Sequence, residues 1–376
     1  MRETADIVIV GAGFAGAATA FHLARRQAGR IVLLERERIP GQHASGKNAA
    51  LAFTALDDPA EARLACEGLQ FLHHPPEGFC DEALIHPSGS LLVSNESESE
   101  GKFLSACAAA RALGLETEVV SGDDIGTLVP PLRPHLPRFG LLNRSDGVVD
   151  IHALLQGYLG GARRAGAQIL FDEAVREVVC ERGRVRAVRT QRHEFATSCL
   201  VNAAGAWAGE IARLAGAEVF RIEPRRRHLF LAHLDEPVEP GLPFVWHSDV
   251  DVYFRPEGHG LLFSPCDATP HPPAEPATDE AAKALLAEKI ARAFPSLIGA
   301  RIVTGWACLR TFSPDERFVI GPDPFVSGLF WVACLGGHGM TTSAAVGRLA
   351  ADAITGQHNP LLESFTPARS LTRRAP

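Results

Sequence analysis

The sequence predicts a mixed α/β (α+β) fold in which a parallel βαβ unit is interleaved with an antiparallel sheet. The N-terminal stretch "DIVIVGAGFAGAATAFHLA" (6–24) joins an apolar run to a helical pattern through closely spaced glycines. The C-terminal stretch "LFWVACLGGHGMTTSAAVG" (329–347) repeats the order of strand, glycine turn and helix. A region rich in strand patterns (221–267) lies between them. Continuous apolar runs are typical of strands inside a parallel sheet, so we expect a Rossmann-type domain built from separated segments.

The first unit is a strand at 6–10, a helix that begins near Phe14, and a second strand that ends at Glu35. The stretch "TDEAAKALLAEKIARAF" (278–294) predicts a helix with Thr278 as its N-cap. The other expected elements are a strand at 86–95, a helix at 98–114, a capped helical turn at 121–130, a helix, strand and hairpin over 150–190 around Gly183, and a strand, loop and helix at 195–216.

Two domains are expected, because 376 residues exceed one ordinary core. The nucleotide-binding domain is predicted to combine 1–80, 146–218 and 305–376. The substrate-binding domain, with the antiparallel sheet, is predicted to combine 81–145 and 219–304.

Composition argues against several classes of partner. The net charge is −7 and no basic run occurs, so a nucleic-acid or anionic-membrane surface is not expected. The eight cysteines form no CxxC pair and no cluster with metal-ligand spacing, which indicates reduced thiols and no metal site. No signal-peptide pattern and no apolar run of transmembrane length are found, and the expected location is the cytoplasm.

The motif Gly11-x-Gly13-x-x-Gly16 lies between the first strand and the first helix. Gly11 allows a tight turn, Gly13 lets the backbone approach a pyrophosphate, and Gly16 lets the helix pack closely on the strand. The free N–H groups at the helix start attract phosphate. Glu35 ends the next strand, where a carboxylate accepts the hydroxyls of an adenosine ribose and disfavours a 2′-phosphate. The motif therefore predicts NAD or FAD rather than NADP.

A second glycine motif of this kind is missing from the sequence. A flavoenzyme that exchanged electrons with a nicotinamide would need one. If the ligand is FAD, electrons should therefore enter from a small substrate and leave to an acceptor other than a nicotinamide.

Three further segments carry a resemblance to a known family. They are "GQHASGKNAA" (41–50), "CLVNAAGAWAGEIARLAG" (199–216) and the region from "GWACLRTFSPDERFVIGPDP" to "AAVG" (305–347). The chain is identified as a member of the FAD-dependent D-amino-acid oxidase (DAO) family, and is most similar to members that oxidise D-arginine, glycine or sarcosine. The resemblance covers nearly the whole chain. It implies resident FAD, and hydride transfer from the substrate Cα to flavin N5 followed by hydrolysis of the imine.

The resemblance also implies which residues contact the cofactor. The glycine turn before the last helix would present N–H groups to the negative charge near N1 and C2=O of reduced flavin. The implied cofactor residues are Gly11, Gly13, Phe14, Ala15, Gly16, Glu35, Arg36, Ser45, Gly46, Lys47, Asn48, Ala203, Ala204, Gly205, Trp207, Arg310, Gly336, Gly337, His338, Gly339, Met340 and Thr341.

A small carboxylate substrate is implied, and a guanidinium is its natural bidentate partner. Arg310 occupies the carboxylate-binding position of the family, and Arg226 is the first choice within "PRRRH". Consecutive residues of a strand face opposite sides, so the three arginines of this motif cannot all face the site. Tyr253 matches a tyrosine that lines the pocket. His43 and His338 lie at positions beside flavin and substrate.

Departures from the relatives bear on substrate and acceptor. Ser90 stands where relatives that oxidise D-arginine carry a glutamate, so a neutral or apolar amino acid, or a small N-methyl amino acid, is favoured. Thr341 and Leu262 stand where sarcosine oxidases carry lysines. Losing positive charge near the flavin should slow the reaction with O2. A dehydrogenase is therefore favoured over an oxidase, with a quinone, an electron-transfer protein or O2 as the unknown acceptor.

Several alternatives stay open. Cys308 matches a sarcosine-oxidase cysteine that forms a thioether to the flavin, although a buried thiol and non-covalent FAD are favoured. A second hypothesis is a 2-hydroxy-acid dehydrogenase, because "HASGKN" also resembles the flavin loop of those enzymes. A third hypothesis is a flavin subunit that needs a partner chain for activity.

Overall fold

The computed structural model describes residues 2–217 and 220–369. Its strands, in chain order, are β1 (Arg2–Thr4), β2 (Ile7–Val10), β3 (Ile31–Leu34), β4 (Leu51–Ala52), β5 (Ile85–His86), β6 (Ser90–Ser94), β7 (Thr117–Ser121), β8 (Phe139–Asn143), β9 (Gly147–Val149), β10 (Gln168–Leu170), β11 (Glu177–Glu181), β12 (Arg184–Arg189), β13 (Glu194–Ala196), β14 (Leu200–Asn202), β15 (Glu223–His233), β16 (Phe244–His247), β17 (Val252–Glu257), β18 (Gly260–Ser264), β19 (Thr269–Pro270), β20 (Arg301–Phe312), β21 (Val319–Pro322) and β22 (Leu329–Ala333). The helices are α1 (Phe14–Arg25), α2 (Pro59–His73), α3 (Ser99–Ala112), α4 (Gly122–Leu128), α5 (Ile151–Arg164), α6 (Ala208–Leu214), α7 (Glu280–Ala293), α8 (Ser343–Ile354) and α9 (Leu362–Phe365).

The parallel sheet has the strand order β10-β3-β2-β14-β22-β21, and only the edge strand β21 runs antiparallel to its neighbour. Side chains alternate between its two faces. Ile7 and Ile9 pack on the layer of α1, α5 and α8, whereas Val8 and Val10 pack on a second core with α6 and the sheet β1-β13-β12-β11. Covering both faces explains why these strands are apolar at every position.

Small residues set the spacing of the helix layer. A Cβ placed on Gly347 of α8 would lie 2.5 Å from the backbone of Ala18 in α1. A Cβ on Gly161 of α5 would lie 2.6 Å from the ring of Phe21. The helices α5 and α8 therefore both pack directly on α1, the helix that follows the glycine motif.

The large sheet follows the order β15-β18-β17-β16-β6-β8-β7, with β20 along one side of β15 and β19 along the other. One face packs on α7 through Phe230, Phe254 and Phe294. Leu229 and Tyr253 lie on the opposite face, which is turned toward the parallel sheet. A small sheet of β4, β9 and β5 connects the two regions.

The predicted fold class is confirmed: a Rossmann-type βαβ unit is completed by C-terminal strands and interleaved with a largely antiparallel sheet. One predicted domain boundary needs correction. The position between 304 and 305 falls inside β20, whose residues from Arg301 to Phe312 pair with β15 of the large sheet. The boundary between 218 and 219, residue 1 and the segment 370–376 lie outside the described residues.

Asp279, not Thr278, caps α7. The Asp279 carboxylate accepts a hydrogen bond from the Ala282 N–H at 2.8 Å, and it also pairs with Arg226. Both residues are N-cap formers, so the sequence alone does not decide between them. Within the described residues no helix combines the length and the apolar character that crossing a bilayer would require.

We expect Asp279→Ala to lower the free energy of unfolding by about 1–2 kcal/mol, because it removes a helix cap. Thr278→Ala is the matched control and should change it by less than about 0.5 kcal/mol. Urea titration followed by circular dichroism measures both. A larger loss for Thr278→Ala than for Asp279→Ala would contradict the assignment of the cap.

Candidate functional site

A cavity of about 420 Å³ opens between the parallel sheet and the large sheet. Four strands of the parallel sheet reach it with their carboxyl ends, where Val10, Leu34, Ala203 and Ala333 line its wall. The opposite wall comes from β15, β16, β17 and β20 of the large sheet. Open α/β sheets bind ligands at this edge, so the cavity is the candidate site.

The glycine motif forms the floor at one end of the cavity. Gly11 adopts φ +103°, and a Cβ there would lie 2.5 Å from the Ala203 carbonyl oxygen. A Cβ on Gly16 would lie 1.9 Å from the Gly11 carbonyl oxygen. Gly16 therefore packs helix against turn and does not line the cavity, as expected for the third glycine. Gly13, Phe14 and Ala15 do line it.

Glu35 lies beside this turn with its carboxylate fixed by backbone amides. One oxygen accepts from the Ala12 N–H at 2.7 Å and the other from the Glu37 N–H at 3.0 Å. The Ser45 hydroxyl accepts from the Phe14 N–H at 3.0 Å, which ties the loop of residues 41–50 to the helix start. Both Glu35 and Ser45 line the cavity, where a ribose or phosphate could reach them.

The turn between β22 and α8 lines the far end. Contrary to prediction, the amides of Gly336 and Gly337 are not free donors: they bond the carbonyls of Thr311 at 3.1 Å and Leu335 at 2.7 Å. The amides of Gly339 and Met340 have no hydrogen-bond acceptor in the described part of the chain. Both residues line the cavity, so their N–H groups are the donors available to a bound anion.

Two arginines of the large sheet face the cavity together. Arg310 donates from Nε to the Gly336 carbonyl oxygen at 2.5 Å, and a Cβ on Gly337 would lie 2.3 Å from the same nitrogen. Arg227 is only 9% exposed, and its Nε has no hydrogen-bond partner among the residues that the structure describes. The acidic side chains of the lining (Glu35, Glu173 and Glu210) belong to the parallel-sheet region, not to the wall formed by the large sheet. Asp251 and Asp267 act on Arg227 from outside the lining, and the wall itself presents two cations and no acid of the described residues, which makes it a site for an anionic group.

His338, Tyr253 and Cys308 line the cavity with these arginines and are uncharged at neutral pH. Burial, with the charges of Arg310 and Arg227, lowers the pKa of His338 to about 3. Burial raises the pKa of Tyr253 to about 12 and that of Cys308 to about 11. Burial and the charge of Arg227 lower the pKa of Arg310 to about 10, which still leaves it protonated at pH 7.

The structure places Arg226 away from the cavity, in contrast to the prediction. Its guanidinium pairs with Asp279 and donates to the Ala277 carbonyl oxygen at 3.3 Å. Arg226 lies on the face of β15 that carries Phe230 and packs on α7, whereas Arg227 shares the opposite face with Leu229. Because side chains alternate along the strand, Arg227 lines the cavity instead of Arg226, the arginine predicted from the sequence.

His43 lies in the cavity wall with both ring nitrogens occupied. Nε2 contacts Glu37 at 2.9 Å and Arg36 at 3.1 Å, and Nδ1 lies 3.3 Å from Glu275. The hydrogen bond from His43 and the charge of Arg36 lower the pKa of Glu37. The Arg36 guanidinium lies 3.6 Å from the centre of the Trp207 ring. His43 lines the cavity as predicted, but both of its ring nitrogens already have partners on the protein.

The remaining predicted cofactor residues divide into two groups. Gly46 and Thr341 do not line the cavity: a Cβ on Gly46 would lie 2.2 Å from the Gly41 carbonyl oxygen, and the Thr341 hydroxyl donates to the Leu51 carbonyl oxygen at 3.2 Å. Those that do line it are Arg36, Lys47, Asn48, Ala203, Ala204, Gly205, Trp207, Gly336, Gly337, His338, Gly339 and Met340.

An aromatic wall was not predicted. Phe53 lies 5.7 Å from Phe244 and 5.4 Å from Trp246 between ring centres, and Trp246 lies 5.5 Å from Tyr253. All four line the cavity. Phe244 and Trp246 lie on β16 and Tyr253 lies on the adjacent strand β17, whereas Phe53 follows β4, so no local sequence pattern brings Phe53 to the other three. Ser90, where relatives carry a glutamate, is buried and donates to Asp146 at 2.7 Å instead of lining the cavity.

Comparison with known proteins agrees with this geometry. A family model described as DAO, FAD dependent oxidoreductase, matches residues 6–353. Mitochondrial sarcosine dehydrogenase of Mus musculus is 26% identical over 279 residues, which cover 72% of this chain but only 30% of that protein. FAD-dependent oxidoreductase domain-containing protein 1 of Bos taurus is 26% identical over 404 residues, covering 95% of this chain and 82% of that protein.

Among solved structures, L-proline dehydrogenase from P. horikoshii superimposes with a TM-score of 0.89 at 21% identity, over 100% of both chains. That likeness establishes the fold. The family match spans the glycine motif, the loop at 41–50 and both arginines of the cavity. This chain belongs to the DAO family of FAD-dependent oxidoreductases.

Proposed function

We propose that this protein oxidises the Cα–N bond of a small amino or imino acid. The observation that carries the proposal is the pair Arg227 and Arg310, which line the same cavity wall, where the described residues include no acidic lining side chain; the Nε of Arg227 also has no hydrogen-bond partner among them. Sarcosine dehydrogenase and L-proline dehydrogenase are named for substrates with a single carboxylate beside an amine, which agrees with a cationic site of this kind.

The residues present fit FAD. The glycine turn exposes backbone without a side chain to the cavity at Gly11 and Gly13, where a pyrophosphate could lie against it. The Glu35 carboxylate would accept the ribose hydroxyls. The N–H groups of Gly339 and Met340 would face the negative end of the flavin ring system. Bound there, FAD supplies the hydride acceptor for the substrate Cα–H.

Arg310 and Arg227 would hold the substrate carboxylate in a fixed pose, and a fixed carboxylate orients the Cα–H. The same positive charges repel an ammonium group, so they favour a substrate whose amine is unprotonated. His338 stays neutral beside them and adds no further repulsion. The imine product would be released to hydrolysis by water. The proposed reaction requires no acid or base catalyst from the protein.

The aromatic wall favours a neutral or apolar substrate, or a small N-methyl amino acid. Phe53, Phe244, Trp246 and Tyr253 offer apolar surface, and none of them offers a carboxylate to a basic side chain. Ser90 is turned toward Asp146 and does not supply an acid either.

We further propose that the enzyme is a dehydrogenase with non-covalently bound FAD. Leu262, at the position of the oxygen-activating lysine of sarcosine oxidases, is fully buried and apolar. Cys308 is a protonated thiol at neutral pH, which does not favour thioether formation. The electron acceptor would be a quinone, an electron-transfer protein or O2.

A screen of anaerobic flavin bleaching tests the reaction class. We expect neutral D- or L-amino acids, sarcosine or proline to bleach the flavin of the purified chain, and 2-hydroxy acids to leave it oxidised. Bleaching by 2-hydroxy acids alone would identify a hydroxy-acid dehydrogenase. No bleaching by any of these compounds would favour a flavin subunit that depends on a partner chain.

We expect Gly16→Ala to weaken FAD binding. The new Cβ would overlap the Gly11 carbonyl oxygen, and overpacking costs about 1–3 kcal/mol, so the dissociation constant of FAD should rise roughly 5- to 150-fold. Titration of the apoprotein with FAD measures it. Gly209→Ala is the matched control, since a Cβ there meets nothing within 4 Å. Equal affinity in the two variants would contradict the role assigned to the turn.

Replacing Arg310 by Met should remove a charge-assisted pair worth about 1.5–3 kcal/mol and lower kcat/KM roughly 10- to 150-fold. Steady-state kinetics with an artificial acceptor measures the change. Arg144→Met removes a surface arginine that pairs with Glu118, and should leave kcat/KM within about threefold of the original value. If both variants behave alike, Arg310 does not bind the carboxylate.

A further inference from the structure

Residues 271–278, "HPPAEPAT", cross the rim of the cavity between β19 and α7, and we call them the strap. The strap begins where the His271 N–H donates to the Pro224 carbonyl oxygen at 3.0 Å. It ends where Arg226 holds the Ala277 carbonyl oxygen and the Asp279 carboxylate. Both ends are thus fixed to β15.

The middle of the strap reaches over the cavity. Pro276 lines the cavity, so the strap forms part of its wall. Three prolines limit its backbone freedom, so it is suited to move as one piece rather than to collapse inward. Glu275, beside Pro276, is 55% exposed and therefore lies at the solvent side of this wall.

One side chain fastens the middle of the strap to the opposite rim. The Glu275 carboxylate pairs with Lys47 and lies 3.3 Å from His43 Nδ1. Lys47 and His43 belong to the loop that also holds the helix start through Ser45. Exposed ion pairs are weak and shift an equilibrium by roughly 1.5- to 5-fold, so such a fastening opens readily.

We propose that the strap is a gate for the active site, in which Arg226 anchors it and Glu275 fastens it closed in the free and in the substrate-bound protein alike. The proposal rests on the carboxylate site proposed above. Opening breaks the contacts of Glu275 with Lys47 and His43, while the bonds at His271 and Ala277 persist. Glu275 is thus a positioning residue that sets the rates of ligand entry and exit and does not bind the ligand.

Glu275→Gln in the FAD-loaded protein tests the gate. Benzoate is the probe, because it carries a carboxylate but no oxidisable Cα–N bond, and stopped-flow absorbance of the flavin follows its binding. We expect association and dissociation rates to rise together, roughly two- to fivefold, with the dissociation constant little changed. Added salt should speed both rates in the original protein and have less effect in the variant, since salt screens exposed ion pairs.

Hydrogen–deuterium exchange gives a readout that does not depend on ligand binding. In Glu275→Gln we expect faster amide exchange in 271–279 and in 43–48, the two segments that the ion pairs join. Glu280→Gln is the matched control: it removes another exposed glutamate–lysine pair, with Lys283, and should leave both segments unchanged.

The outcomes separate the gate from the carboxylate site. Unchanged exchange in both segments of Glu275→Gln would overturn the gate. A higher dissociation constant of benzoate with an unchanged association rate would overturn it as well. Failure of benzoate to bind the original protein would overturn the carboxylate site, and the exchange data would still decide on the gate.

Discussion

Arg227 and Arg310 bring two positive charges into one cavity wall that contains no carboxylate. Like charges at close range repel, so the protein must hold them by other means. The pairing of β15 with β20 does this: Arg227 lies opposite Cys308, and Arg310 lies opposite Arg225, which puts the two cavity arginines in diagonal positions on one face. The pairing fixes the backbone positions of the two arginines, and the Gly336 carbonyl oxygen holds the Nε of Arg310. An anionic ligand bound between them, as proposed above, would relieve the repulsion.

The opposite side of the cavity is built on the carboxyl edge of the parallel sheet. The glycine turn and Glu35 lie at the ends of β2 and β3, and the turn before α8 lies at the end of β22. Parallel strands bring these ends to one edge although they are about three hundred residues apart in the chain. An electron carrier bound at this edge would face the arginine wall, because both line the same cavity. The geometry of the two sheets therefore sets where the proposed cofactor site and the arginine wall lie relative to each other.

The sequence was sufficient for features that depend on local spacing. Gly11, Gly13 and Glu35 follow from the βαβ pattern, and the large antiparallel region follows from strand periodicity. Features that depend on distant neighbours were not predictable in this way. Choosing Arg227 over Arg226 requires knowing which face of β15 is covered by α7. The donors near Met340 depend on which carbonyls the preceding amides have already taken, and Glu275 contacts partners more than two hundred residues away.

The position of β22 within the parallel sheet has a consequence for synthesis on the ribosome. β22 pairs directly with β14, and α8 then packs on α1, so the sheet begun by β2 and β3 is completed only by residues after 328. The nascent chain must carry an open sheet edge and an uncovered helix face while more than a hundred intervening residues emerge. The parallel sheet therefore cannot complete its folding before the residues after 328 have been synthesised. The turn between β22 and α8, which lines the far end of the cavity, is likewise made only in the last stage of synthesis.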